Sequence, residues 1–129
     1  MPVVIGVALF GALGVLSRYG IDTFIERRSD AVFPWATFTV NVSGCLAVGF
    51  IIAALVDRHR APAWLRTGLV MGFCGGFTTF STFGLDTITL LRSGDSSLAS
   101  LNVLVQVVGG LAGVYLAFAL VEHFSIAAR

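Results

Sequence analysis

Four long uncharged runs, separated by short charged segments, set the pattern of this chain. The first covers residues 1–17 and continues as helix past Arg18 and Tyr19 to about Ile21; the second covers 31–56. The third covers 67–85, or reaches Leu91 if Asp86 is tolerated, and the fourth covers 96–121. A helix needs about 17–25 predominantly apolar residues to cross a bilayer. Each run is long enough, and the pattern predicts spans at about 2–21, 33–56, 64–91 and 97–121. The connections 22–30, 57–66 and 92–95 are too short to hold a folded domain, so 1–129 reads as a single four-helix transmembrane domain with both termini on one side. Pro34 and Trp35 open the second span, and Pro62 and Trp64 the third. Proline fits a first helical turn and tryptophan prefers the membrane interface.

Composition agrees with an all-α integral membrane protein. Of the 129 residues, 57% are hydrophobic and only 12% charged, against about 25% charged in a soluble domain; mean hydropathy is +0.93. A net charge of +1 argues against nucleic acid or a polybasic surface role. No basic region precedes the first apolar run and no small-residue cleavage site follows it, so it reads as a retained span. Cys45 and Cys74 fall in apolar runs without the His or Cys neighbours that a metal site needs. No catalytic cluster can be assembled, since His59 and His123 lie in or beside loops, so an enzyme is not expected.

Within the third run, residues 71–83 stand apart. Gly72, Gly75 and Gly76 fall within five positions, and Thr78 and Thr79 follow, which makes a poor continuous helix. Cys74, Thr78, Thr79, Ser81 and Thr82 alternate with Phe73, Phe77, Phe80 and Phe83. Loosened helix at membrane depth is tolerated only where it is buried in protein or lines a cavity. The run 65–91 would span about 40 Å as one helix, against a hydrocarbon thickness of about 30 Å. Tilt absorbs that difference, and so does a short unwound segment at residues 75–78, which would leave carbonyl oxygens free to hold an ion.

Small residues predict how the helices meet. Gly68, Gly72 and Gly76 repeat every four positions, as do Gly109 and Gly113, while Gly6, Gly11 and Gly14 crowd the first span. Such faces let backbones approach closely in lipid. Charge placement bears on orientation. All eight positive charges are arginines: Arg18, Arg27, Arg28 and Arg92 on one side, Arg58, Arg60, Arg66 and Arg129 on the other. The positive-inside rule then sets no orientation. A chain without bias can insert both ways and pair with its inverted copy, and four thin helices hardly enclose a pathway alone. Burial of Arg18, paired with Asp22 one turn on, is the alternative.

Polar groups inside the spans are the best functional pointers. On the second helix Thr37, Asn41 and Gly44 share one face, Thr39 and Ser43 another. Asn41 supplies two N–H donors, either to a ligand or to a neighbouring helix. In the third span Thr79, Thr82, Phe83 and Asp86 lie within about 100° of one another, with Phe80 beside them. Ring edges carry partial positive charge, so two phenylalanines can face a small anion; packing or lipid contact is the plainer reading. Asn102 and Gln106, one turn apart in the fourth span, can pair across helices or line a vestibule.

The run 72–83 (Gly-Phe-Cys-Gly-Gly-Phe-Thr-Thr-Phe-Ser-Thr-Phe) resembles the signature of the CrcB/Fluc family of bacterial fluoride channels. So do Gly11-Ala12-Leu13-Gly14 followed by Arg18-Tyr19, and Pro34-Trp35 followed by Thr39-Val40-Asn41, and the similarity covers essentially the whole chain. The resemblance implies an antiparallel, dual-topology homodimer in the bacterial inner membrane, with a broken third helix and two fluoride pathways lined by both subunits. It makes Asn41 the pore amide and Phe80 and Phe83 the ring pair, with Ser81 and Thr82 continuing the polar track and Thr39 a further hydroxyl. The main-chain carbonyls of Gly75 and Thr78 from both subunits would hold one structural sodium ion. Asp86 stands where family members usually carry glutamate. Hydroxyls common on their fourth span are replaced here by Asn102, Gln106, Gly110 and Val114.

Two rivals belong to other classes. A small multidrug or guanidinium exporter also uses four spans in an inverted dimer but needs a carboxylate in its first helix, and residues 1–17 have none. An auxiliary subunit for membrane assembly would explain the glycines but not the hydroxyl-and-phenylalanine stretch.

Overall fold

The computed structural model describes residues 2–56 and 61–127, and all regular structure among them is helical. Arg58, His59, Arg60 and Arg129, four of the charged or titratable residues named above, lie outside the described residues. Helix α1 is Pro2–Glu26. Helix α2 is Trp35–Ile51, continued by a wider, π-type winding over Ile52–Val56. Helix α3 joins Ala63–Thr67, a π-type segment Gly68–Cys74 and a last turn Gly75–Phe77. Helix α4 is Phe80–Arg92 and α5 is Ser96–Ala127.

Four stretches are long and apolar enough to cross a membrane: Pro2–Glu26, Trp35–Leu55, Ala63–Arg92 and Ser96–Ser125. The chain is therefore a multi-pass membrane protein with the four spans that the hydropathy pattern predicts. The last two have 30 residues each, about 45 Å if straight, so they tilt or project beyond a hydrocarbon layer of about 30 Å.

Local chemistry sets the ends of these helices. Pro34 and Pro62 stand just before α2 and α3, where the missing N–H is not needed, and their carbonyls accept from Phe38 and Arg66, each at 3.1 Å. Phe33, Trp35 and Phe38 form a ring cluster there, with centroids 4.7 Å apart for the first pair and 5.8 Å for Trp35 and Phe38. Helix α4 stops at Gly94, whose φ of 91° lies in the region that favours glycine. Asp95 N–H donates to the Leu90 carbonyl at 2.9 Å and Gly94 N–H to Leu91 at 3.2 Å, a paired C-terminal cap that turns the chain into α5.

Packing follows the small residues. Helix α1 lies chiefly along α3, and α2 along α5. A Cβ added at Gly72 would sit 2.8 Å from the Val7 carbonyl oxygen, and one at Gly76 2.7 Å from that of Gly11. On the α1 side, a Cβ at Gly14 would collide with the Phe73 carbonyl. The glycine face of the third span thus meets the glycine face of the first at main-chain distance. In lipid this close contact supplies the dispersion energy that the hydrophobic effect does not. Large apolar side chains such as Leu9, Leu111 and Tyr115 point outward, while Val40 and Asn102 are fully enclosed. A buried amide at the centre of such a protein directs attention to the polar groups around it.

Candidate functional site

Halfway along the third span the helical path is interrupted. Thr78 (φ −80°, ψ 160°) and Thr79 (φ −148°, ψ 111°) are both extended, and helix resumes at Phe80. The sequence places this loosening at residues 75–78. In the structure Gly75 is still helical (φ −65°, ψ −35°) and the extended pair is Thr78-Thr79. The cause is Asn41 on the neighbouring α2. Thr79 N–H donates to Asn41 Oδ1 at 2.8 Å, and Asn41 Nδ2 donates back to the Thr79 carbonyl at 3.0 Å. One side-chain amide thereby satisfies both main-chain groups of an extended residue, as a neighbouring strand would. Thr79 then caps the restarted helix: its Oγ1 accepts from Thr82 N–H at 3.2 Å and lies 2.9 Å from the Thr82 hydroxyl.

The same bonds divert donors from two carbonyls. In a continuous helix Thr79 N–H would serve Gly75 and Thr82 N–H would serve Thr78. Here those hydrogens go to Asn41 and to Thr79 Oγ1. Gly75 and Thr78 are the two residues whose carbonyls the family resemblance singles out. Neutral oxygens of this kind suit a hard cation. Among the described residues no cluster of three His, Cys, Asp or Glu side chains could hold a metal.

Asn41 continues outward into a chain of amides. Its second Nδ2 hydrogen goes to Gln106 Oε1 at 2.8 Å. Gln106 Nε2 donates to Asn102 Oδ1 at 3.2 Å, Asn102 Nδ2 to Thr87 Oγ1 at 2.9 Å, and Thr87 Oγ1 to the Phe83 carbonyl at 2.8 Å. The sequence offers two roles for the Asn102 and Gln106 pair: both residues bond across helices, and Gln106 also lines a cleft. The i, i+4 spacing of two amides in an apolar run is the signal that marks them; their partners, on α4 and α2, are set by the fold.

Two clefts flank Thr79 and Thr82. One, of about 240 Å³, is lined by Asn41, Cys45, Thr78, Thr79, Phe80, Phe83, Gln106 and Val107, with no charged side chain among them. The Phe80 and Phe83 rings stand 5.5 Å apart, tilted by 54°. Phe80 is 84% exposed, so its ring is not part of this chain's own core. The other cleft, of about 250 Å³, includes Asp22, Glu26, Thr37, Thr82 and Asp86. Inside it the buried Thr37 hydroxyl donates to Asp86 Oδ2 at 2.6 Å.

The structure brings Asn41, Phe80, Phe83 and Thr78 to one cleft and Thr82 to the other. Ser81 is exposed, with its hydroxyl 3.3 Å from that of Thr79. Thr39 is exposed on the face it shares with Ser43, whose hydroxyl donates to the Thr39 carbonyl at 2.6 Å; it lines neither cleft. The helical-face reading of α2 therefore separates buried Thr37 and Gly44 from exposed Thr39 and Ser43 as the periodicity requires.

Comparison with known proteins adds an independent line. Residues 5–118 match the family described as CrcB-like protein, Camphor Resistance (CrcB). A fluoride-specific ion channel FluC of Geobacter sulfurreducens is 41% identical over 115 residues, covering 89% of this chain and 93% of that protein. One from Azotobacter vinelandii is 43% identical over 109 residues, covering 84% and 88%. A third, from Methylobacterium sp. (strain 4-46), is 43% identical over 124 residues, covering 96% of each.

Proposed function

Since this chain belongs to the CrcB family, matched along residues 5–118, we propose that it is a fluoride-selective passive channel that lets fluoride leave the cytoplasm down its gradient. Its similarity to proteins named fluoride-specific ion channel supports this, and places it with membrane transport rather than catalysis. The observation that carries the reading is the cleft at the Thr78-Thr79 bend: an amide, hydroxyls and two phenyl rings around one space, with no charge among them.

The chemistry of that space suits a small anion. An isolated ion in a low-dielectric medium is penalised by tens of kcal/mol unless compensated. Fluoride holds its water strongly, so only a dense set of hydrogens can replace it. Asn41 supplies an N–H, Thr79 a hydroxyl, and the edges of Phe80 and Phe83 supply weak positive potential without a competing acceptor. An arginine in this position would bind an anion too tightly for rapid release. Ser81 and Thr82 continue the polar route toward the cleft of Asp86 and Thr37, and Thr39 adds a hydroxyl from the other face of α2 where a second subunit covers it.

The working unit of this reading is an antiparallel, dual-topology homodimer in the inner membrane, with two pathways. The balanced arginines support it, and so does the exposure of Phe80 at mid-membrane, since a ring that lines a pathway needs a second wall. The Gly75 and Thr78 carbonyls, relieved of helical donors, fit one shared sodium ion with the same pair from the second subunit. When bound, that ion supplies a positive potential near the pathway without adding a titratable side chain. The test is fluoride efflux from liposomes containing the purified protein: rapid passive efflux is expected, and its absence refutes the reading.

A further inference from the structure

One main-chain group fixes every hydrogen-bond direction around Asn41. Thr79 N–H can only donate, so the Asn41 atom 2.8 Å from it is the acceptor Oδ1, and the other terminal atom is Nδ2. One Nδ2 hydrogen is taken by the Thr79 carbonyl and the other by Gln106 Oε1. Gln106 must then present Nε2 to Asn102, whose own Nδ2 faces Thr87. Side chains from three helices thus donate in a single direction, ending on the carbonyl of Phe83. Gln106 is 8% exposed and Asn102 0%, so the chain is shielded from bulk water.

Asn41 is held at two points by Thr79 whether or not Gln106 is present. Its only other N–H is the one that Gln106 occupies, and both residues line the cleft beside Phe80 and Phe83. We propose that Gln106 is a positioning residue whose side-chain carbonyl competes with the permeant anion for the second N–H of Asn41. The inference rests on the reading of this cleft as a fluoride pathway. An ion reaching Asn41 exchanges one hydrogen bond for another instead of gaining a bare donor, which weakens its hold. Gln106 stays anchored through Nε2 to Asn102, so Oε1 remains close enough to reclaim the N–H and speed release. Conduction needs sites that bind well enough to fill and loosely enough to empty.

The experiment is the dependence of flux on fluoride concentration in liposomes, for the wild type and for Gln106→Met, which keeps the length and removes the acceptor. Competition predicts that the half-saturating fluoride concentration falls about three- to tenfold, the worth of one hydrogen bond, while maximal flux falls as release slows. A half-saturating concentration that stays put, or rises, with only the maximum reduced makes Gln106 a packing residue and overturns the proposal. Should Gln106→Met fail to assemble because Asn102 Oδ1 loses its donor, the Gln106→Met/Asn102→Leu double variant removes both groups, and the same readout decides. Failure of the functional reading itself looks different: the wild type then passes no fluoride at all.

Discussion

The side-chain amide of Asn41 closes a two-point hydrogen-bonded ring with the main chain of Thr79, at 2.8 and 3.0 Å, across the gap between the second and third spans. That ring makes the bend in the third span affordable in a solvent that offers no water to a freed N–H or C=O. It also leaves Asn41 with a fixed orientation.

Two substitutions test these roles. Asn41→Ala strips Thr79 of both partners and is expected to lower stability by about 1–3 kcal/mol for the stranded groups, along with fluoride flux. Asn41→Asp keeps an acceptor for Thr79 N–H but has no N–H to offer. Its second oxygen then faces two acceptors, the Thr79 carbonyl and Gln106 Oε1, so it is expected to lose stability as well, and to lose flux by at least about tenfold, one strong hydrogen bond's worth. Thermal unfolding in detergent and liposome efflux, run on both variants, check this; unchanged flux in either contradicts the role of Asn41.

Phe80 stands almost wholly outside the chain's own core. Phe80→Ile is therefore expected to leave unfolding temperature and elution volume close to wild type while sharply reducing fluoride flux. Flux at the wild-type rate would return the ring to a packing role.

The contact between the first and third spans is set by glycine. Gly76→Ala would put a methyl 2.7 Å from the Gly11 carbonyl oxygen, and overpacking of this kind costs about 1–3 kcal/mol. Gly20→Ala meets nothing within 4 Å and is expected to be neutral or to stabilise α1 by up to about 1 kcal/mol through helix propensity. Unfolding temperatures of the two variants side by side test the assignment.

Sodium is expected to protect the fold. A cation that binds only the native state raises its unfolding temperature by mass action. Sodium chloride should raise it where choline chloride at equal ionic strength does not. Identical melting in the two salts contradicts the role given to the Gly75 and Thr78 carbonyls.

Four spans were readable in the chain because length and hydropathy alone decide them. The glycine faces were readable too, since close approach in lipid leaves few residue choices at Gly72 and Gly76. The position of the bend was displaced by up to a turn, because propensity identifies weak helix but not the neighbour that captures its N–H. That neighbour, Asn41, was visible as an amide at membrane depth, yet its bond to Thr79 spans 38 positions and depends on how α2 packs. Gln106 and Asn102 showed the same limit: their spacing marked them as a pair, and only the third dimension supplied Asn41 and Thr87.

The claim that an uncharged cleft of amide, hydroxyl and ring-edge hydrogens carries a dehydrated anion is tested most directly by passive efflux from liposomes loaded with equal fluoride and chloride. Wild-type protein is expected to empty the fluoride while chloride stays inside, and Phe80→Ile protein of matched thermal stability to release little of either. Equal loss of both anions, or fluoride release undiminished in the variant, contradicts it.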